Sequence, residues 1–222
     1  MRAGQPGRMK RCAMLVRRRP GFVITIYHAP MSRSVRVRWV LEELGLPHHV
    51  AARAHAELKE PEHIALHPLG KVPVLTDGDL VLLESGAIVQ YLLESYGHGR
   101  LEPARGSPAR PGFLQWIHFA EATLMPPLSL ILQHTRIRRP EDRIAALVPD
   151  ATQIAQDALG VVEAALEGRE WLTGELSAAD IMMGYSVWLA NVLQLVTKEF
   201  PNVKAYLARC NARPAFRRST ST

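Results

Sequence analysis

The chain has 222 residues, of which 47% are apolar, and its formal net charge is +6. This length allows one large domain or two modest ones, and the apolar fraction excludes a disordered chain. No segment approaches the roughly 20 apolar residues that a membrane-spanning helix requires. We therefore expect a folded protein without a membrane partner.

The positive charge is concentrated in residues 1–21. Seven of the 27 Lys and Arg residues lie there with no acidic residue, whereas 21 Asp and Glu residues match the other 20. The segment lacks the long apolar run of a signal peptide and the serines of a transit peptide, so we expect a disordered tail and no nucleic-acid partner. A true start at Met9 or Met14, or an arm for anionic surfaces, are the alternatives.

The first half of the remaining chain predicts a small sheet with helices. Residues 23–27 predict a buried strand, and the apolar periodicity that follows predicts a helix capped by Ser32 or Ser34 and ended by Gly45. Further elements are predicted in the order strand 49–53, helix 57–66, strands 72–75 and 80–83, and helix 85–96. The Asp77-Gly78 step between the last two strands predicts a hairpin. This βαβαββα order packs as an α/β domain.

The second half is predicted to be helical. Four segments have helical patterns, namely 113–134, 140–166, 177–197 and 201–212. Pro126-Pro127 must bend or break the first of them, because proline removes a backbone donor. Ser177 and Asp180 form a capping box with a structural role. The predicted organisation is a tail (1–21), an α/β domain (22–97), a linker rich in Gly and Pro (98–112) and an all-α domain (113–222).

Cysteines and histidines give no metal or redox site. Cys12 and Cys210 are far apart and no CxxC pair occurs, which excludes a thioredoxin-type redox centre and fits a reducing, cytoplasmic setting. His63 and His67 have helical spacing, but no acidic or cysteine ligands accompany them. We expect surface or loop-end histidines and no metal.

The segment Lys71-Val72-Pro73-Val74 is the first candidate binding element. A proline that opens a central strand is unusual, because it cannot donate to the ladder. A cis Val72–Pro73 bond would turn the backbone of Val72 outward, where its N–H and C=O can pair with an extended peptide. An edge-strand proline in an ordinary turn is the alternative.

Glu84-Ser85, at the start of the next helix, is the second candidate element. A helix N-terminus presents unpaired N–H groups and a partial positive charge, which suit a carboxylate. The Ser85 hydroxyl can add a hydrogen bond, and Glu84 can pair with an ammonium group. This pair suits the α-amino acid end of a ligand. The alternative is that Ser85 only caps the helix.

Together these segments resemble the cytosolic glutathione transferases of bacterial type. The resemblance covers residues 23–216 and is carried by Ile26-Tyr27 with Ser32-Arg33-Ser34, by Trp39 to Pro47, by Pro68 to Leu75 and by Glu84 to Ile88. It implies a thioredoxin-like first domain, a helical second domain, a homodimer and a role in detoxification. It also implies glutathione as co-substrate, with no bound cofactor.

The resemblance assigns roles to the two binding elements. Val72 would contact the cysteinyl backbone of glutathione beside a cis Pro73. Glu84 and Ser85 would hold the γ-glutamyl group, and Lys71 would reach the glycyl carboxylate. These residues are the predicted glutathione site.

The group that activates the thiol is predicted in the turn after the first strand. In the family this donor is a Tyr, Ser or Cys, and residues 28–34 contain no cysteine, so the chain departs from the cysteine-bearing class. We select Ser32 as the thiolate donor, with Ser34 or backbone N–H groups as alternatives. Arg33 can add positive potential. Ser32 as a plain N-cap is the remaining alternative.

The second substrate is predicted to bind between the domains. The resemblance implies a small hydrophobic electrophile, a disulfide or a peroxide, near Trp116, Phe119 and Met125, although such a stripe also fits a core. The predicted function is thus that of a glutathione transferase. A non-catalytic interaction protein on the same fold is the alternative. An isomerase of maleylacetoacetate type is disfavoured, because its Ser-Ser-Cys run is missing.

Overall fold

The computed structural model describes residues 23–221, so the predicted basic tail and Cys12 lie outside the described residues. Its sheet has four strands, β1 (Ile24–His28), β2 (His48–Ala52), β3 (Val74–Asp77) and β4 (Leu80–Leu83). They lie in the order β2-β1-β3-β4, with β2 parallel to β1 and the other two neighbouring pairs antiparallel. The predicted hairpin is confirmed, because Asp77 pairs with Leu80 around a two-residue loop.

The register brings three loops to one end of this sheet. Tyr27 near the end of β1 pairs with Val74 at the start of β3, and Val74 pairs with Leu83 at the end of β4. The residues that follow β1, precede β3 and follow β4 therefore lie side by side. They are 29–34, 70–73 and 84–85.

Three helices belong to the same half of the chain: α1 (Ser34–Leu44), α2 (Pro61–Leu66) and α3 (Ser85–Leu92). Helix α1 ends as predicted at Gly45, whose φ of 65° is readily adopted by glycine. Its N-cap is Arg33 and makes no side-chain cap, so the prediction that Ser32 or Ser34 occupies this position is wrong. The βαβαββα order is as predicted.

The second half contains α4 (Arg110–His118), α5 (Met125–Leu132), α6 (Leu147–Ala165), α7 (Ala178–Val192), α8 (Pro201–Ala212) and α9 (Pro214–Thr220). Residues 119–124 form a π-helical segment that joins α4 to α5. Pro126 and Pro127 fall in the first turn of α5, where a missing backbone donor is tolerated. The bend or break predicted at Pro126-Pro127 is therefore seen as a change from π-helix to α-helix just before these prolines.

Several boundaries differ from the predictions. The third strand begins at Val74 and not at residue 72, because the cis Val72–Pro73 segment turns before the ladder starts. Helix α6 begins at Leu147 and not at residue 140, where only a short 3-10 turn forms. Helix α9 was not predicted. It begins at Pro214. A proline after a helix can mark the end of that helix, but it can also occupy the first position of a new one, as it does here.

Helix α7 lies in the core and approaches α1 closely. A Cβ at Gly184 would lie 2.9 Å from the buried indole of Trp39, so only glycine leaves room for the ring. The capping box at the start of α7 is confirmed: the Asp180 carboxylate accepts the Ser177 N–H at 2.9 Å and the Leu172 N–H at 2.9 Å. Asp180 thus ties the entering loop to the helix.

Candidate active site

The segment after β1 carries a compact group of hydroxyls. The Ser32 hydroxyl donates to the Ala29 carbonyl at 2.7 Å, and its oxygen lies 2.6 Å from Ser34 Oγ. Ser34 is fully buried, whereas Ser32 is half-buried. Of the two predicted thiol activators, Ser32 is therefore the one that a ligand can reach.

His28, the buried last residue of β1, contacts this group of hydroxyls through Ser34. Its Nδ1 lies 2.7 Å from Ser34 Oγ, and its Nε2 accepts from Arg38 Nη1 at 3.0 Å. Burial, assisted by the Arg38 charge, lowers the pKa of His28 to about 4. His28 is therefore neutral at physiological pH.

The segment before β3 has the conformation that the sequence suggested. The Val72–Pro73 bond is cis, and no hydrogen bond joins the Val72 backbone to any other residue in 23–221. Gly70 has a φ of 58°, and a Cβ there would clash with the Leu58 carbonyl oxygen. The turn before Val72 therefore needs a glycine. Lys71 is exposed beside it.

His63 and His67 support this turn from beneath. Both side chains are buried, so the first of the two predicted alternatives, a surface position, is wrong, whereas His67 does lie at a loop end as the C-cap of α2. His63 Nε2 donates to the Lys71 carbonyl at 2.8 Å, and His67 Nδ1 accepts the Leu69 N–H at 3.3 Å. Burial, followed by the influence of His63, lowers the pKa of His67. The two histidines hold the backbone on either side of Gly70.

Glu84 and Ser85 follow β4 at the start of α3. Glu84 is exposed and has a φ of 69°, whereas Ser85 is buried as the first residue of the helix. Ser85 Oγ accepts a hydrogen bond from Arg36 Nη1 at 3.1 Å. An arginine can only donate, so the Ser85 hydroxyl keeps its own hydrogen for another acceptor.

Arg36 joins this site to the helical half of the protein. Its guanidinium is fully buried, pairs with the Glu121 carboxylate and donates to Ser186 Oγ at 2.8 Å. Burial lowers the pKa of Arg36, and the Glu121 charge opposes this effect. Glu121 also lies 3.3 Å from Arg33 Nε. The site therefore depends on groups from both halves of the chain.

Two protein-family models match the chain. The N-terminal domain of glutathione S-transferases matches residues 22–94, and the C-terminal domain matches residues 124–214. The chain belongs to the glutathione S-transferase family.

Curated relatives and solved structures agree with this family. Glutathione S-transferase 3 of Schizosaccharomyces pombe is 29% identical over 210 residues, which cover 88% of this chain and 86% of that protein. Glutathione S-transferase GstB of Escherichia coli K12 is 30% identical over 205 residues, which cover 88% and 97%. The crystal structure of glutathione transferase URE2P8 from Phanerochaete chrysosporium with oxidised glutathione matches with a TM-score of 0.78. Its identity is 28%, and the match covers 89% and 93% of the two chains.

These similarities confirm the predicted fold class, with a thioredoxin-like first domain and an all-helical second domain. They also confirm the predicted activity class: the protein is a glutathione transferase. Within residues 23–221, no group of three or more His, Cys, Asp or Glu side chains is placed to hold a metal ion. No helix in this part of the chain is long and apolar enough to cross a membrane.

The residues predicted to bind the second substrate of this glutathione transferase lie mostly in its core. Trp116 and Met125 are buried, and Phe119 is half-buried with its ring 5.3 Å from the Trp116 ring, measured between centroids. Packing of the helical domain accounts for these positions. Their role in substrate binding stays a prediction.

Sequence reasoning missed the residues that support the site from behind: His28, Arg36, Arg38 and Glu121. Arg36 and Arg38 alternate with valines in α1, and the buried side of that helix cannot be read from such a pattern. His28 offered one usable signal, because it directly follows a predicted buried strand. Glu121 offered none, since it lies nearly 90 residues away from its partners in the sequence.

Proposed function

We propose that this glutathione transferase binds glutathione across the end of its sheet and that the Ser32 hydroxyl donates a hydrogen bond to the thiolate. One observation carries the proposal. The sheet register brings the Ser32 loop, the Val72–Pro73 turn and Glu84-Ser85 side by side. Each of these three segments can contact a different part of the tripeptide.

The γ-glutamyl head is assigned to Glu84 and Ser85. The Ser85 hydroxyl keeps a hydrogen to donate to a carboxylate, since Arg36 occupies its oxygen as a donor. The first N–H groups of α3 have no partner within the helix, and the helix dipole favours an anion at this end. Glu84 is exposed beside them and pairs with the ammonium group. A zwitterionic head fits this combination of charges.

The cysteinyl and glycyl parts are assigned to the turn before β3. The Val72 backbone can pair with the cysteinyl N–H and C=O as an added strand would, because it has no such partner among the described residues. Exposed Lys71 is available to the glycyl carboxylate. Pro73 keeps Val72 turned outward.

Ser32 is assigned to the thiol. A free thiol has a pKa of about 8.5 and is mostly protonated at neutral pH, so a donor that favours the anion increases the reactive fraction. Ser32 is the more accessible of the two serines. Arg33, which was expected to add positive potential, is ion-paired with Glu121, and that carboxylate offsets its charge. The thiolate then attacks an electrophilic carbon, a disulfide or a peroxide, and the protein contributes positioning without a covalent intermediate.

We also propose that the enzyme belongs with the Ser-Arg-Ser members of bacterial type, forms a homodimer and works in the cytoplasm on small hydrophobic electrophiles in detoxification. The edge strand β4 exposes Leu80 and Val81, which supports a partner on that side. The unpaired, buried Cys210 fits a reducing compartment. Size-exclusion chromatography with light scattering measures the molar mass and so tests the dimer directly.

A crossed pair of variants tests the glutathione site. Calorimetry gives the glutathione Kd, and thiolate absorbance against pH gives the pKa of the bound thiol. We expect Ser85→Ala to weaken binding with little change in the thiol pKa, and Ser32→Ala to raise the thiol pKa with little change in Kd.

Turnover is tested with a chloro-nitroarene and with panels of disulfides and peroxides. We expect Ser32→Ala to slow whichever reaction the wild-type enzyme performs. A wild-type thiol pKa in Ser32→Ala would refute Ser32 as the donor and leave Ser34 or backbone N–H groups as the thiol activators. Glutathione binding without activity on any panel would favour a binding protein.

A further inference from the structure

A chain of hydrogen bonds runs from the C-terminus to Ser32. Arg38 donates to the carbonyls of Arg218 and Ser221, each at 2.8 Å, and to His28 Nε2 at 3.0 Å. His28 Nδ1 lies 2.7 Å from Ser34 Oγ. Ser34 Oγ lies 2.6 Å from Ser32 Oγ. Three side chains, those of Arg38, His28 and Ser34, therefore connect α9 to the hydroxyl assigned to the thiolate.

The donors and acceptors in this chain of hydrogen bonds can be assigned from Arg38, because its guanidinium can only donate. Arg38 can only donate, so His28 Nε2 must accept, and a neutral imidazole then carries its hydrogen on Nδ1. That hydrogen is donated to Ser34 Oγ. The pKa of His28, which burial and then Arg38 lower to about 4, keeps the ring neutral at neutral pH.

The distances decide the outer end. Ser34 has two possible acceptors for its own hydrogen, namely Ser32 Oγ at 2.6 Å and the Ala29 carbonyl at 3.4 Å. The 2.6 Å contact is made whichever hydroxyl donates, but the Ala29 carbonyl lies 2.7 Å from Ser32 Oγ and 3.4 Å from Ser34 Oγ. Two short bonds therefore form only when Ser34 donates to Ser32 and Ser32 donates to Ala29. Ser32 also accepts the Ser34 backbone N–H at 3.3 Å. Both of these bonds leave the Ser32 hydrogen available for donation, at present to the Ala29 carbonyl at 2.7 Å.

We propose that His28 and Ser34 are positioning residues, which keep the oxygen of Ser32 occupied as an acceptor so that its hydrogen can be donated only to the Ala29 carbonyl or to the ligand thiolate. The inference rests on the proposed function of Ser32. A hydroxyl that already accepts a hydrogen bond is also a stronger donor, because bonds in a chain polarise one another.

Arg38 is held in place at the end of the hydrogen-bond chain, and this explains why His28 Nε2 accepts a hydrogen bond. Arg38 is buried against α9, and its bonds to two carbonyls at the end of that helix fix the guanidinium that faces His28. Arg53 and Glu57 line the cavity beside His28. Among residues 23–221, Arg38 is the charged group within hydrogen-bonding distance of the ring.

Thiol pKa measurements on Ser34→Ala and on two His28 variants test this role. In Ser34→Ala, we expect the pKa of bound glutathione to rise and kcat/KM at neutral pH to fall about three- to tenfold, the range for one lost neutral hydrogen bond. The glutathione Kd should stay unchanged. His28→Leu should behave in the same way, and His28→Asn, whose amide nitrogen can replace Nδ1, should recover part of the loss.

A double variant distinguishes positioning from general damage. If Ser34 acts only through Ser32, adding Ser34→Ala to Ser32→Ala should not raise the thiol pKa further. Ser219→Ala is the matched control, since it removes a buried hydroxyl that bonds only within α9. It should leave the thiol pKa unchanged.

Two results would overturn the inference by different routes. A wild-type thiol pKa in Ser34→Ala, or additive effects of the two serine variants, would refute the role of His28 and Ser34 while Ser32 keeps its own. A wild-type thiol pKa in Ser32→Ala would refute the proposed role of Ser32 and the positioning role with it.

Discussion

Acid should destabilise this protein in part through His28. Its pKa is about 4 in the folded protein, against an ordinary histidine value of 6.5 that the unfolded chain recovers. Between these values the unfolded chain binds the proton and the folded protein does not, so the free energy of unfolding falls as the pH falls. The contribution is present above pH 6.5 and is lost progressively toward pH 4.

The size of the effect follows from the two pKa values. Their full difference corresponds to roughly 3 kcal/mol, of which about 2 kcal/mol is lost between pH 7 and pH 5. His28 is nearly inaccessible to solvent, so screening by water reduces this figure little. Such a loss is a large fraction of the stability of an ordinary domain.

Urea unfolding of the wild type and of His28→Asn at pH 7 and pH 5 measures the contribution. The variant lacks the titrating ring, so its stability should depend on pH less than that of the wild type by about 2 kcal/mol over this interval. Ser34→Ala is the control. It removes the contact at Nδ1 but keeps both causes of the low pKa, namely burial and Arg38, and should retain most of the wild-type dependence.

Equal pH dependence in the wild type and in His28→Asn would refute this reasoning. It would mean that His28 titrates alike in the folded and unfolded states. Direct titration of the His28 ring by NMR gives an independent pKa, expected to be about 4.

Substitutions at three further positions, two of them with a comparison variant, have expected outcomes. Gly70→Ala should weaken glutathione binding in calorimetry and lower the Tm, because the new Cβ meets a backbone carbonyl, whereas Gly99→Ala shares a positive φ but has no atom within 4 Å and should cost only about 1 kcal/mol. Gly184→Ala should destabilise by about 1–3 kcal/mol in urea unfolding, since it overpacks the tryptophan ring beside it. Asp180→Ala should cost about 3 kcal/mol or more in the same assay, because several buried donors lose their acceptor, and Asp180→Asn should recover part of this loss.

The parts that the sequence predicted depend on local constraints. A proline at the start of a strand, an Asp-Gly step and a serine at a helix start each restrict the backbone within a few residues. The Val72–Pro73 turn, the hairpin and the start of α3 were therefore foreseeable. The capping box of Ser177 and Asp180 was foreseeable for the same reason.

The parts that the sequence did not predict depend on contacts between distant segments. Arg36 and Arg38 are basic residues in a helix, where a solvent-facing position is the usual outcome. Their burial becomes possible only when Glu121 and the end of α9 meet them. His63 and His67 were expected on the surface or at a loop end, and their burial depends on their contacts with the turn that follows α2.

The two halves of this transferase are therefore not independent in the site that we propose for glutathione. The Ser85 hydroxyl is oriented by Arg36, and that buried guanidinium is tolerable only with its partners Glu121 and Ser186 from the helical half. The Ser32 hydroxyl depends in the same way on Arg38 and the carbonyls at the end of α9. In a first domain without the second, these two arginines would lack both these acceptors and the segments that bury them. The helical domain thus supports the groups to which we assign glutathione binding.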